Sequence, residues 1–209
     1  MRNELTRVLL IRHGDAENPK DIFYVRAPGF HLSKMGVDQV NSLVQILNRK
    51  NFKIKVIYSS PLERAQETAQ ILRDKLGKVK IEIRDQLLEV RNPGLQGRRK
   101  VVILKTRFNA YAKSLIDEGA ETPEEIILRT RGFIDSVLEQ HKGEDIALVF
   151  HADPIRLLLW SFQNHKKGEV ITTLKIKDKD YPGRAEAIVL SFDKRLKFLS
   201  FEHVRGDFA

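Results

Sequence analysis

Short apolar runs alternate with longer amphipathic stretches along this chain of 209 residues. Apolar residues dominate Arg7–Ile11, Ile54–Tyr58 and Asp145–Phe150. Runs of this length and composition are typical of strands that are buried on both faces of a sheet. A shorter run over 81–83 predicts one more strand. Near the end of the chain, two apolar runs flank Asp193-Lys194-Arg195 and predict a β-hairpin formed by 186–192 and 196–202.

Between the strands, apolar residues recur at helical spacing, and each stretch begins with a helix-start signal. Ser33 is a candidate N-cap for a helix that begins at Lys34, and Thr122-Pro123 with Glu125 forms a capping-box pattern. Serine or aspartate followed by proline marks two more starts. The predicted helices are about 34–47, 61–76, 101–118, 123–141 and 153–162.

The alternation of strands and helices predicts an α/β fold, a three-layer α/β/α sandwich around a mainly parallel central sheet. No repeat, low-complexity tract or Gly/Ser linker interrupts the chain, so we expect one domain over 1–209. Within it, the helical segment at about 98–125 is expected to form the rim of any site on the sheet.

Composition narrows the class of protein. There are no cysteines, which excludes disulfides and thiol catalysis, and no apolar stretch reaches the roughly 20 residues that cross a bilayer. With no signal-peptide pattern at the N-terminus, we expect a cytoplasmic protein that does not bind membranes. The net charge of +9 is spread along the chain, which favours attraction of phosphorylated substrates over a dedicated nucleic-acid surface.

Polar side chains follow three of the predicted strands directly. Arg12 and His13 come after the first strand, Arg64 lies one helical turn after the second, and His151 follows the third. Ligands of open parallel sheets bind at the carboxyl ends of the strands. If these strands are neighbours, the two histidines and two arginines converge on one crevice.

Such a group has the chemistry for phosphoryl transfer. Guanidiniums bind phosphate oxygens in bidentate fashion, and their charge keeps a neighbouring imidazole neutral and nucleophilic. Gly14 permits a close backbone approach. Protonation of the leaving alkoxide requires a carboxylic acid, for which Glu89 is the candidate, with Glu82 and Asp85 as rivals.

These residues resemble the motifs of the histidine phosphatase superfamily, which includes the cofactor-dependent phosphoglycerate mutases. Arg12-His13-Gly14 is similar to the family's R-H-G signature, and Ser59–Arg64 is similar to its S-S-P-x-x-R motif. His151–Arg156 resembles the second histidine motif. The motifs follow in the family's order, and matches of Leu88-Glu89 and Gly119–Thr122 lie between them.

The resemblance implies a phosphoglycerate mutase-like fold and assigns roles to the residues. His13 is the phosphorylated nucleophile, Glu89 is the general acid, and Arg12, Arg64 and His151 form the phosphate pocket. It implies no metal and no cofactor. Further expected substrate contacts are Asn18, Ala152 and Arg26, together with His31.

Two departures from the mutase pattern favour a phosphatase. Asp15–Asn18 follows the R-H-G signature where mutases have E/Q-S-x-W-N, and Val90–Leu95 differs from the mutase sequence after the acid. The expected partner is a small phosphorylated substrate, and a homo-oligomer is left open. The alternatives are a phosphoglycerate mutase and a non-catalytic module that binds phosphorylated ligands or RNA.

Overall fold

The computed structural model describes residues 5–101, 109–163, 171–172 and 179–206. Within these residues, one six-stranded sheet has the order β3-β2-β4-β1-β5-β6. The first four strands in this order are mutually parallel, and β5 is antiparallel to both β1 and β6. The strands are β1 (Thr6–Arg12), β2 (Ile54–Ser59), β3 (Lys80–Ile83), β4 (Asp145–Phe150), β5 (Ala187–Phe192) and β6 (Phe198–Val204).

The helices that we label are α1 (Lys34–Arg49), α2 (Glu63–Lys75), α3 (Lys113–Asp117), α4 (Pro123–Gln140) and α5 (Ala152–Phe162). A 3₁₀ helix also spans Asp85–Leu87. Helices α1 and α2 pack on one face of the sheet, against strand residues such as Leu9 and Ile57. Helices α4 and α5 pack on the other face, against residues such as Leu10 and Leu148. The alternation of β1 side chains between the two faces confirms the three-layer α/β/α sandwich.

Two predicted helix starts are confirmed. The Ser33 hydroxyl accepts the N–H of Gly36 at the start of α1, and Thr122 with Glu125 forms the capping box of α4. The sequence was misleading for α2 and α5. Helix α2 begins at Glu63 because Leu62 is still extended, and the N-cap of α5 is His151 rather than Asp153.

The predicted helix over 101–118 is only partly confirmed. Ala112 has an extended backbone, and α3 then runs over five residues. Residues 102–108 of that prediction lie outside the described residues. Whether the chain forms a single domain stays a prediction. In the described part of the chain, none of the helices combines the length and apolar character that crossing a bilayer requires.

Candidate active site

The carboxyl ends of β1, β4 and β2 lie side by side, and the segments that follow them are bonded together. The backbone N–H of His13 donates to Phe150 O at 3.0 Å, and that of Ser60 donates to Val149 O at 2.9 Å. Because β4 lies between β1 and β2, it fixes both segments to its own end. The predicted convergence of Arg12, His13, Arg64 and His151 is therefore confirmed.

The tautomer of His13 follows from its hydrogen bonds. Nδ1 lies 2.7 Å from Gly14 O, which is an acceptor only, so Nδ1 carries the proton and Nε2 holds the lone pair. Burial lowers the pKa of His13 well below 6.5, and the charges of Arg64, Arg184 and Arg12 lower it further. The imidazole is thus neutral at physiological pH and can act as a nucleophile through Nε2.

The fully buried Arg64 side chain contacts Nε2 of His13. Its Nε donates to His13 Nε2 at 3.2 Å, and its Nη2 donates to Val25 O at 2.8 Å. The Tyr24 ring lies beneath the guanidinium, 4.5 Å from its central carbon. Among the described residues, Arg64 Nη1 and Arg12 Nε are buried without a hydrogen-bond partner. Unpaired buried guanidinium donors are costly unless an anion binds them.

His151 completes the basic end of the pocket. Nδ1 lies 3.4 Å from Arg64 Nη2, so it accepts, and Nε2 donates to the Ser60 hydroxyl at 2.8 Å. The rings of His13 and His151 meet edge to face, with centroids 5.2 Å apart. Burial, followed by the charge of Arg64, lowers the pKa of His151 well below 6.5. Ser60 was predicted to cap a helix; its hydroxyl accepts the N–H of Leu62 at 3.4 Å, before the helix begins, and also orients this histidine.

Glu89 brings a carboxyl group close to His151. Its Oε2 lies 3.8 Å from His151 Nδ1, and its Oε1 accepts the N–H of Val90 at 2.9 Å. Burial raises the pKa of Glu89 to about 7, with a further contribution from the Asp153 carboxylate. Of the rivals, Glu82 pairs with Lys80 and Arg84. A carboxyl group with a pKa near neutrality suits general acid–base catalysis.

Two arginines contact the backbone carbonyl of Glu89, and the buried Glu121 carboxylate holds both of these arginines. Arg26 Nε donates to Glu89 O at 2.6 Å and Arg26 Nη2 donates to Glu121 at 2.7 Å. Arg129 bonds both oxygens of Glu121 and also lies 3.4 Å from Glu89 O. Arg26 is not among the residues that line the cavity described below, and its guanidinium is engaged by Glu121, which is distant in sequence. Its predicted contact with substrate stays a prediction.

The remaining predicted substrate contacts are Asn18, His31 and Ala152. Both polar atoms of the Asn18 amide bond the backbone of Ile22, so the side chain closes its own loop. His31 is exposed and pairs with Glu67. Ala152 is buried in the first turn of α5, directly after His151.

A cavity of about 290 Å³ lies beside Arg12 and Glu89. Its polar lining includes Arg12, Glu89, Asp153 and Arg184, and apolar side chains from 22–25 and 90–95 form much of its wall. The hydroxyls of Tyr111 and Tyr181 donate to opposite oxygens of Asp153. Lys100 and Ala110 also line the cavity, so part of the predicted rim at 98–125 is in place.

Two residues that line the cavity were missed by the sequence reasoning. Asp153 had been interpreted only as a helix cap, and Arg184 lies 3.4 Å from His13 Nε2. Arg184 precedes β5, and because β5 is antiparallel to β1, its amino end meets the carboxyl end of β1. The predicted final hairpin placed Arg184 just before a strand, but only residues that follow strands had been considered as candidates for the site. In the described residues no group of three or more His, Asp or Glu side chains is arranged to hold a metal ion.

The fold and this histidine–arginine pocket define a class of protein. The chain belongs to the histidine phosphatase superfamily (branch 1), whose sequence profile matches residues 8–176. It is 26% identical over 165 residues to phosphoserine phosphatase 1 of Hydrogenobacter thermophilus, with 74% of each chain covered. It is 23% identical over 205 residues to phosphoglycerate mutase of Schizosaccharomyces pombe, covering 93% of this chain and 94% of the mutase.

Two further comparisons describe the extent of the likeness. A Mycobacterium tuberculosis protein, Rv0525, is 46% identical over 66 residues, which span only 32% of this chain and 32% of that protein. Among solved structures, Bacillus stearothermophilus YhfR superposes with a TM-score of 0.76 at 20% identity, covering 93% of this chain and 94% of that one. The structural likeness concerns the fold, which is phosphoglycerate mutase-like as expected.

Proposed function

We propose that this protein hydrolyses phosphate monoesters through a phosphohistidine formed on Nε2 of His13. One observation supports this above all. The lone pair of a buried, neutral imidazole lies beside the Arg64 guanidinium, whose Nη1 has no hydrogen-bond partner among the described residues. A phosphoryl group at this position satisfies the free donors of Arg64 and of Arg12.

In the first step, His13 Nε2 attacks phosphorus and the bond to the ester oxygen breaks. Glu89 in its protonated form gives its proton to the departing oxygen, so that the alcohol leaves neutral. Arg12 and Arg64 stabilise the charge on the equatorial oxygens, and each such donor contributes about 10²–10³ in rate. The pKa of about 7 supplies the protonated carboxyl that this step requires.

In the second step, water replaces the alcohol. Glu89, now a carboxylate, accepts a proton from the water, whose oxygen attacks phosphorus and releases His13. Inorganic phosphate leaves, and both His13 and Glu89 return to their starting protonation states. The same group acts as acid and then as base, which is why a pKa near neutrality is useful.

A phosphoglycerate mutase is the alternative, because the match to the fission-yeast mutase extends over nearly the whole of both chains. In a mutase the phosphoryl group of the phosphohistidine is transferred to a hydroxyl of the substrate rather than to water. The sequence at Asp15–Asn18 departs from the mutase pattern, which favours the phosphatase. The partner we propose is a small phosphorylated molecule in the cytoplasm.

The test is a hydrolysis assay on p-nitrophenyl phosphate and a panel of phosphorylated metabolites. We expect turnover by the unaltered protein and none above background by His13→Ala. Arg195→Gln, which removes an exposed side chain from the turn between β5 and β6, is the control and is expected to retain activity. Full hydrolysis by His13→Ala would refute the proposal.

Two further assays separate the alternatives. Conversion of 3-phosphoglycerate to 2-phosphoglycerate with added bisphosphoglycerate, faster than any hydrolysis, would identify a mutase instead. A steep fall of RNA affinity with salt, combined with no turnover of any ester, would favour the binding module.

A further inference from the structure

Arg184 lies at the reacting nitrogen but outside the part of the chain that carries the family match. The sequence profile ends at residue 176, and Arg184 stands in the segment that leads into β5. Its Nη1 lies 3.4 Å from His13 Nε2, on the same atom that Arg64 contacts at 3.2 Å. Its side chain is 24% exposed, so it reaches the pocket from the open side.

The Arg184 guanidinium is already oriented by its neighbours. Nη2 donates to the hydroxyl of Tyr24 at 3.1 Å, and Nε lies 3.8 Å from a carboxylate oxygen of Asp15. The Tyr24 ring also stacks on Arg64. One tyrosine therefore links two guanidiniums, and both present N–H groups to the same imidazole nitrogen. Preorganised donors of this kind cost little reorganisation during the reaction.

The segment that carries Arg184 is fastened to the sheet by Glu186. The Glu186 carboxylate is 1% exposed and accepts the N–H of Gly183 at 2.6 Å. Its other oxygen pairs with His203 and with Arg205, which lie in β6 and directly after it. Because β6 borders β5 in the sheet, the last strand of the fold holds this segment in place.

The same segment also contacts the other side of the site. Pro182 O accepts Nη1 of Arg12 at 2.9 Å, and the N–H of Ala185 lies 3.3 Å from His13 O. Ala185 has a φ of 48°, a conformation that is unfavourable for a non-glycine residue. Such strain persists where surrounding contacts enforce it, and it is common at functional sites.

We infer that Arg184 is a third guanidinium of the phosphate pocket, which binds an oxygen of the phosphoryl group as it moves to His13 Nε2. This inference rests on the proposed function for its catalytic part. Arg64 and Arg184 then bracket the attacked phosphorus, while Arg12 is aligned by the carbonyl of Pro182. Arg184 also has a ground-state effect, because its charge helps to keep the His13 imidazole unprotonated.

The test compares Arg184→Gln with Arg184→Lys and with the control Arg195→Gln. The control removes the same charge from the exposed turn between β5 and β6. We expect Arg184→Gln to lower kcat/KM for p-nitrophenyl phosphate by about 10²–10³. Vanadate, which mimics the transition state, is expected to bind Arg184→Gln at least about tenfold more weakly. Arg195→Gln is expected to match the unaltered protein in both measurements.

The third readout is the titration of the His13 imidazole, followed by NMR in each variant without substrate. In the described part of the chain, Arg64, Arg184 and Arg12 are the charged groups that lower the pKa of His13, and the His151 ring lies against it; Glu89 lies next to His151. Arg184→Gln is expected to raise the pKa of His13, whereas Arg184→Lys retains the charge and is expected to leave it near the original value. A purely structural role for Arg184 would not separate these two variants.

The outcomes distinguish this inference from the proposed function. If the unaltered protein hydrolyses no phosphate ester, the proposed function fails, but vanadate affinity and the His13 titration still test Arg184. If Arg184→Gln folds normally by circular dichroism, keeps kcat/KM and vanadate affinity within twofold of the original values, and keeps the His13 pKa within about 0.3 unit, which is twofold in the acid dissociation constant, the inference is overturned.

Discussion

The Oε2 atom of Glu89 lies 3.8 Å from Nδ1 of His151, in a pocket that raises the pKa of Glu89 to about 7. The carboxyl group that we propose as the general acid is thus next to the proposed phosphate site and about half protonated at neutral pH. His13, by contrast, is neutral because its pKa lies well below 6.5. We therefore expect Glu89 to be protonated and His13 to be neutral, the forms that the proposed mechanism requires, over a pH range whose upper limit is near 7.

Glu89→Gln should remove the alkaline limb of the pH profile. In the unaltered protein we expect kcat/KM to fall above about pH 7 as Glu89 ionises, with the acidic limb well below pH 6.5. The substitution should lower kcat/KM for an alkyl phosphate by about 10²–10⁴. It should affect p-nitrophenyl phosphate much less, since nitrophenolate leaves without protonation. Equal losses on both substrates would contradict the role of Glu89 as the acid.

Asp153→Asn should move the alkaline limb to lower pH. After burial, the Asp153 carboxylate is the next largest contribution to the raised pKa of Glu89, so its removal is expected to lower that pKa. The measurement is the pH dependence of kcat/KM. Asp117→Asn, which removes an exposed carboxylate from α3, serves as the control. A limb that stays in place would show that Asp153 does not influence Glu89.

Ser60→Ala should impair catalysis by releasing His151. The hydroxyl of Ser60 accepts from His151 Nε2 at 2.8 Å, and without it a buried N–H has no partner. Such a loss costs about 1–3 kcal/mol, so we expect kcat/KM to fall about tenfold or more. Ser59 is equally buried, but its hydroxyl donates to Ser60 O rather than to a histidine. Ser59→Ala should retain activity, and equal effects of the two substitutions would count against this role of Ser60.

Gly36→Ala should destabilise the loop that carries His13. A Cβ at Gly36 would lie 2.0 Å from Asp15 O, and one at Gly14 would lie 2.6 Å from Gly36 O. The backbones after β1 and at the start of α1 therefore pass too closely for a side chain. We expect a loss of about 1–3 kcal/mol in the free energy of unfolding, measured in urea.

Gly132 provides the matched control, because it lies in α4 and a Cβ added there would meet no neighbouring side chain or strand within 4 Å. There alanine only improves helix propensity, so Gly132→Ala should stabilise the protein by up to about 1 kcal/mol. If Gly36→Ala proved as stable as Gly132→Ala, the close backbone contact would have no importance for the fold.

The sequence was sufficient to predict the central group of the site. Arg12, His13, Arg64 and His151 could be placed together because each follows a buried strand, and parallel strands end at one edge of a sheet. Arg184 could not be found by that rule, since it precedes an antiparallel strand. Its position depends on the pairing of β5 with β1, which is a long-range property of the sheet.

Arg26 shows what sequence alone does not reveal about a predicted substrate contact. Its guanidinium is engaged by Glu121 and by Glu89 O. Its contacts span 95 residues to Glu121 and 63 to Glu89, and no local pattern reports pairings of that kind. Cations that bind substrate and cations that position a catalytic group are distinguishable only once the fold brings their partners together.

The most direct test of the account is to trap the phosphorylated protein. A rapid-quench reaction with a phosphorylated substrate, followed by mass spectrometry under alkaline conditions, identifies which residue carries the phosphoryl group. We predict an acid-labile phosphate on Nε2 of His13 that is absent from His13→Ala. Steady turnover without any phosphorylated His13, or a phosphoryl group on another residue, would contradict the central claim.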